Sequence, residues 1–189
     1  MPIAIEITQI RCAGVTHPKG SADEIYLAYA LGVADDDGDS DTRAAFIGGE
    51  VSKVKNGVRR NTVWIPDGGL KATIDPGEAK AVFLLLGLFE KDDGNFRKKL
   101  VESIGEIQSP PKFDWKAVKL PGDVTDSDAW IKAAWKFLGQ VFRRIVEDDH
   151  LGTVEIPIVL AEDGWAGNRE FRFKRLGGEY RVSLKLSEV

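Results

Sequence analysis

Apolar residues recur at every second position over long stretches of this chain. Ile3, Ile5 and Ile7 alternate with Ala4, Glu6 and Thr8. After a polar loop at 14–21 that contains Pro18 and Gly20, the same period returns in Ile25, Leu27, Tyr29 and Leu31. A period of two puts one set of side chains on one face of an extended strand, so each run predicts a strand with one buried face. Further strands are predicted at 46–55 and 58–65, with Asn56-Gly57 between them as a tight hairpin turn, because this dipeptide accepts positive φ. The stretch 81–89 is almost wholly apolar, as in a central strand covered on both faces. A strand at 156–160 precedes the clearest hairpin. There Phe171 and Phe173 alternate with Arg172 and Lys174, Gly177-Gly178 turns the chain, and Tyr180, Val182, Leu184 and Leu186 alternate with Arg181, Ser183 and Lys185. About eight short strands separated by turn signals predict a mainly β fold, an eight-stranded antiparallel sandwich.

The middle of the chain changes period. Phe96, Leu100, Val101, Ile104 and Ile107 follow helical spacing. So do Trp130, Ala134, Phe137, Leu138, Val141 and Ile145, after a Thr125-Asp126-Ser127-Asp128 start rich in N-cap residues. A connector through Pro110, Pro111 and Pro121 joins the two. Strands resume afterwards, so residues 92–147 read as a helical insertion into one domain spanning 1–189.

At 189 residues, with 43% apolar and 30% charged residues, the chain suits a soluble domain with a substantial core. A net charge of -4 and a pI near 5.3 give no overall basic field for nucleic acid. Cys12 is the only cysteine, which excludes an internal disulfide and a cysteine-rich zinc site and reads as a small core residue. The N-terminal alternation has no basic and apolar leader pattern, and the longest apolar run is too short to cross a bilayer, so a cytosolic location is expected, with export by a route that uses no N-terminal signal as the alternative. The acidic run 35–41, DDDGDSD, departs from an EF-hand loop in register and places Ala44 where the terminal Glu belongs; it reads as a solvated turn.

Four segments, in order, resemble a C2 domain. His17-Pro18-Lys19-Gly20-Ser21-Ala22-Asp23-Glu24 is similar to the first tip loop of that family, with His17 where an acid stands in the family pattern. Asn61-Thr62-Val63-Trp64 is similar to the segment that opens a middle strand. The apolar strand ending in Glu90-Lys91-Asp92 resembles the strand running into a pair of acidic ligands. Asp148-Asp149-His150-Leu151-Gly152-Thr153-Val154-Glu155-Ile156-Pro157-Ile158 is similar to the family's D-D-x-x-G-x-x-x-I-P-L. The closing 178–184 segment also resembles the last strand. The main departure is the long stretch between Asp92 and Asp148, where the family has a short third loop.

The resemblance implies that His17, Asp23, Glu90, Asp92, Asp148, Asp149 and His150 gather at one end of a sandwich and could hold calcium, a hard cation that needs about six to eight oxygens. Two imidazoles among carboxylates would also suit zinc or another transition metal. Bland roles compete: Asp92, Asp93 and Asn95 could cap a helix, and Asp148 and Asp149 could form a turn. The helix bearing Trp130, Trp135, Phe137 and Phe142, interleaved with Lys132, Lys136, Arg143 and Arg144, could pack on the sandwich or meet a membrane.

The resemblance implies a non-catalytic binding module that engages an anionic membrane surface or a protein through its tip loops. Lys19 and the helix-borne basic residues would face the lipid head groups. Two other readings stand beside it. One is a calcium-independent assembly component that forms an oligomer through the inserted helices. The other is a metal-dependent hydrolase built on His17, His150 and a carboxylate; no G-x-S-x-G, P-loop, G-x-G-x-x-G or H-E-x-x-H pattern accompanies it.

Overall fold

The alternating runs are strands, and every pairing between them is antiparallel. The computed structural model describes residues 1–17, 21–36, 42–67, 71–77, 79, 81–91, 98, 101–102, 150–160, 164–175 and 177–189, with backbone alone at 34–36, 42–47, 150, 155, 157 and 159. In chain order the strands are β1 (Ile3–Gly14), β2 (Asp23–Asp36), β3 (Thr42–Val51), β4 (Lys55–Val58), β5 (Val63–Trp64), β6 (Lys71–Ile74), β7 (Ala81–Glu90), β8 (His150–Val159), β9 (Gly167–Arg175) and β10 (Gly178–Glu188).

Two sheets result, ordered β5-β1-β10-β9 and β3-β2-β7-β8. The two remaining strands share an edge already in use. β6 pairs with β1 at Ile3–Glu6 while β5 pairs with it at Ile10 and Arg11, and β4 pairs with β2 at Asp23 and Ile25 while β3 takes Ala28 onward. Each sheet is therefore four strands wide. Among the described residues there are ten strands where the sequence predicts about eight: β6 at Lys71–Ile74 is not predicted, and the strand expected over 58–65 is interrupted by a turn, leaving β4 and β5 as short edge segments.

The two sheets contribute to one core. Ile3, Ile5, Ile7, Ile10, Tyr180, Val182, Leu184 and Leu186 from the first sheet join Ile25, Leu27, Leu31, Leu84, Leu86, Leu88, Ile156 and Ile158 from the second. Within β1 the inward set changes from odd to even positions between Ile7 and Ile10. A register shift between Ile7 and Gln9 against β10 inserts one residue and makes that change possible. β2 and β7 bury their second face too, through Tyr26, Ala28, Ala30, Phe83, Leu85 and Phe89. Tyr26 and Phe89 stack there with ring centroids 5.2 Å apart. The continuous apolar run of β7 thus reflects cover on both faces.

Two local expectations change. Asn56-Gly57 does not turn a hairpin: both residues lie inside β4, where Gly57 takes a φ of 71°, and β3 and β4 each pair with β2 rather than with one another. The reversal comes later, at 59–62. There the Arg59 amide donates to Thr62 Oγ1, the Thr62 amide donates to the Arg59 carbonyl, and Asn61 adopts a φ of 69°. From that turn the chain crosses to β1. The other change is that Asp35 and Asp36 belong to β2 and not to a turn; residues 37–41 lie outside the described set.

The helical insertion proposed for 92–147 lies outside the described residues, except for Lys98, Val101 and Glu102, which are helical and include an i,i+4 ion pair between Lys98 and Glu102. Among the described residues no helix is long and apolar enough to cross a membrane.

Tyr29 connects this core to pH. It is buried opposite Glu50 of β3, and burial first, then the Glu50 charge, pushes its hydroxyl from an ordinary value of 10 up to about 12. Between those values the unfolded chain releases the proton and the folded chain keeps it, so stability is whole below about pH 10 and declines as pH rises through that window. Urea midpoints measured across this range should fall with pH, and Tyr29→Phe should make the fall shallower.

Candidate functional site

Strand parity places two acids where the core should be apolar. On β2 the inward positions Leu31, Tyr29, Leu27 and Ile25 are followed, one step nearer the strand's start, by Asp23. On β7 the inward set Val82, Leu84, Leu86 and Leu88 ends in Glu90. Ile25 and Glu90 are cross-strand partners, so both acids sit at the same end of the core. Their exposure is 0% for Asp23 and 3% for Glu90. A carboxylate so placed must be matched by donors or charge, since water does not solvate it.

The donors come from the other sheet and from the loop that leaves it. Tyr180 of β10 donates its hydroxyl to Asp23 Oδ2, across the two sheets. The Thr16 amide donates to the same oxygen at 2.8 Å, and the Thr16 hydroxyl donates to Glu90 Oε2 at 2.5 Å. The other oxygen of each acid faces His17: its Nδ1 lies 3.4 Å from Asp23 Oδ1 and 3.0 Å from Glu90 Oε1. The His17 side chain is 47% exposed, so the constellation is buried on its carboxylate side and open on its imidazole side.

Burial first, then the hydrogen bond to Asp23, pushes the Tyr180 hydroxyl well above its ordinary range, so it remains a donor at neutral pH. Cys12, the cross-strand partner of Tyr180, is fully buried. Its thiol is raised mainly by burial, opposed by a hydrogen bond with Tyr180 and reinforced by the Asp23 charge. A protonated, inaccessible thiol is no nucleophile; it fills space beneath the polar cluster.

Of the seven residues singled out in the sequence, His17, Asp23 and Glu90 come together, with one potential ligand atom from each lying within 4.8 Å of the others. The backbone of His150 pairs with Phe89, the residue before Glu90, which brings the start of β8 to the same end. Asp92, Asp148 and Asp149 lie outside the described residues.

Thr16, Tyr180 and Gly178 belong to the site and were not singled out in the sequence. A signal existed for Tyr180, which carries a hydroxyl at an inward position of β10. Gly178 reads as a turn residue, yet its second role is steric. A Cβ there would stand 2.7 Å from Thr16 Cγ2 and 3.3 Å from the Thr16 amide nitrogen, so only glycine lets the loop lie against β10.

No protein-family model matches the chain, and no curated protein is similar to it.

Two substitutions test the arrangement. Tyr180→Phe keeps the ring and removes a donor from a buried carboxylate, so it should lower stability by about 1–3 kcal/mol. Gly178→Ala forces the Thr16 loop outward and should cost roughly 1–3 kcal/mol through overpacking. Chemical denaturation midpoints check both, and the His17 imidazole resonances should shift in the Gly178 variant.

Proposed function

We propose that the chain is a C2-like binding module rather than an enzyme, engaging an anionic membrane surface or a protein surface through the loops at the Asp23–Glu90 end, with a divalent cation organising them. The observation that carries this reading is the direction of the acids. Asp23 and Glu90 point into the body, each with one oxygen committed to Tyr180 or Thr16 and the other turned to His17. Carboxylates held in this way suit an ion or a loop. They are poorly placed to exchange protons with a substrate, which must come within about 2.6–3.2 Å of a general base.

Topology supports the same end as the contact surface. The β1–β2 loop crosses between sheets there, β7 ends there at Glu90, and β8 starts there at His150. The stretch between β7 and β8, read as the C2-like helical insertion, therefore leaves and returns at this rim. It carries Lys132, Lys136, Arg143 and Arg144, and the β1–β2 loop carries Lys19. Near an anionic leaflet each such residue contributes about 1 kcal/mol of attraction. The resemblance implies calcium as the cation.

Co-sedimentation with phosphatidylserine-containing and with neutral vesicles tests the membrane arm, in the presence of zinc, of calcium and of chelator. Binding to the anionic vesicles alone, lost in chelator and weakened by salt, is the expected result. No sedimentation under any of these conditions would leave a protein surface as the partner.

A further inference from the structure

We infer that the ion taken by this end is a borderline transition metal of the zinc class, held by His17 Nδ1, Asp23 Oδ1 and Glu90 Oε1. The inference depends on the ion-organised rim proposed above and adds the chemical class of the ion.

Donor type comes first. One of the three converging atoms is an imidazole nitrogen, which suits zinc and its neighbours; calcium takes oxygen ligands. Capacity comes next. Asp23 Oδ2 accepts from Tyr180 and Thr16, and Glu90 Oε2 accepts from Thr16, so each carboxylate presents a single oxygen to an ion. A nitrogen and two single oxygens supply three ligands, the number protein side chains give to an open zinc site. Calcium needs about six to eight oxygens, commonly with a bidentate carboxylate.

Spacing agrees with the donor chemistry. Atoms bound at about 2.0–2.2 Å around a four- to six-coordinate ion stand roughly 3–3.5 Å apart. His17 Nδ1 lies 3.0 Å from one carboxylate oxygen and 3.4 Å from the other. The supporting hydrogen bonds also have the form that tunes a metal centre. Tyr180 and Thr16 fix the carboxylates through their outer oxygens and leave the inner ones aimed at the imidazole. Charge completes the match, because two buried carboxylates balance one divalent ion.

The chelator-treated 189-residue chain should be melted in zinc and in calcium, with calorimetry for stoichiometry and cobalt(II) as a spectroscopic probe. Zinc should raise the melting temperature with one ion per chain, calcium at the same concentration should not, and cobalt should give visible absorption of a mixed nitrogen and oxygen site. Tyr180→Phe should weaken zinc about 10–100-fold by releasing Asp23, and His17→Ala should weaken it further. His17→Asp, which replaces the nitrogen with oxygen donors, should shift the preference towards calcium. Stabilisation of the parent chain by calcium and not zinc overturns the zinc assignment and leaves the ion-organised rim standing. Stabilisation by neither ion overturns both. Zinc binding that His17→Ala leaves unchanged places the ion elsewhere and overturns the assignment.

Discussion

Two carboxylates occupy positions that strand geometry reserves for the core, and the end of the molecule is organised around satisfying them. Asp23 and Glu90 continue the inward rows of β2 and β7, where every preceding residue is apolar or aromatic. A buried carboxylate without partners costs more than any single apolar contact nearby returns. The partners had to come from the facing sheet and from the chain passing overhead. Tyr180 reaches across from β10, and Thr16 supplies both an amide and a hydroxyl from the segment after β1. The placement of Thr16 and His17 after β1 is thereby set by electrostatics, while the sheets below are set by apolar burial. Gly178 follows from the same constraint: with Thr16 drawn this close, β10 has no room for a Cβ at that position.

Most strands were legible because their signal is local. Ile3-Ile5-Ile7, Ile25 through Leu31 and Tyr180 through Leu186 each declare a face by alternation, and the structure buries the face they declare. The C-terminal hairpin was legible for the same reason, with Gly177 at a φ of 85° in the turn. Pairing was less legible. Asn56-Gly57 has the backbone tolerance of a hairpin turn, and Gly57 uses that tolerance, but β3 and β4 both find the edge of β2. Dipeptide chemistry specifies a permitted φ; it does not specify which strand lies alongside. The shift of register in β1 was hidden likewise, since Thr8-Gln9 differs in no visible way from an ordinary pair of exposed residues.

The site shows the same division. Asp23, Glu90 and His17 were singled out because they fall at positions of the C2-like pattern; that the two acids also end inward apolar rows became plain only once the strands were paired. Thr16 could not be found. Its amide and hydroxyl act through the fold of a loop, and nothing in the neighbouring residues marks it. Tyr180 sat in plain view as a strand aromatic, but its hydroxyl acquires meaning only when Asp23, 157 positions away in the chain, is placed opposite it. Long-range donors to a buried acid are the part of such a site that local pattern omits.

His17 gives this rim a property that a third acid would not. Three converging carboxylates repel one another until an ion arrives, so the loop's order would depend on that ion. An imidazole can accept a metal through its nitrogen lone pair or, carrying a proton on that same nitrogen, donate towards Asp23 and Glu90. The two states use the same atoms at nearly the same separations, because a hydrogen bond spans about 2.7–3.2 Å and ligand neighbours stand at a similar distance. The cluster can therefore close without an ion and tighten with one. The proton and the metal compete for the Nδ1 lone pair, so a metal held there requires the tautomer that carries its proton on Nε2. On the zinc reading proposed above, an ion at these three atoms would act on a rim already held by Thr16 and Tyr180, tying His17 to the ends of β2 and β7 while the two-sheet core beneath them stays as it is.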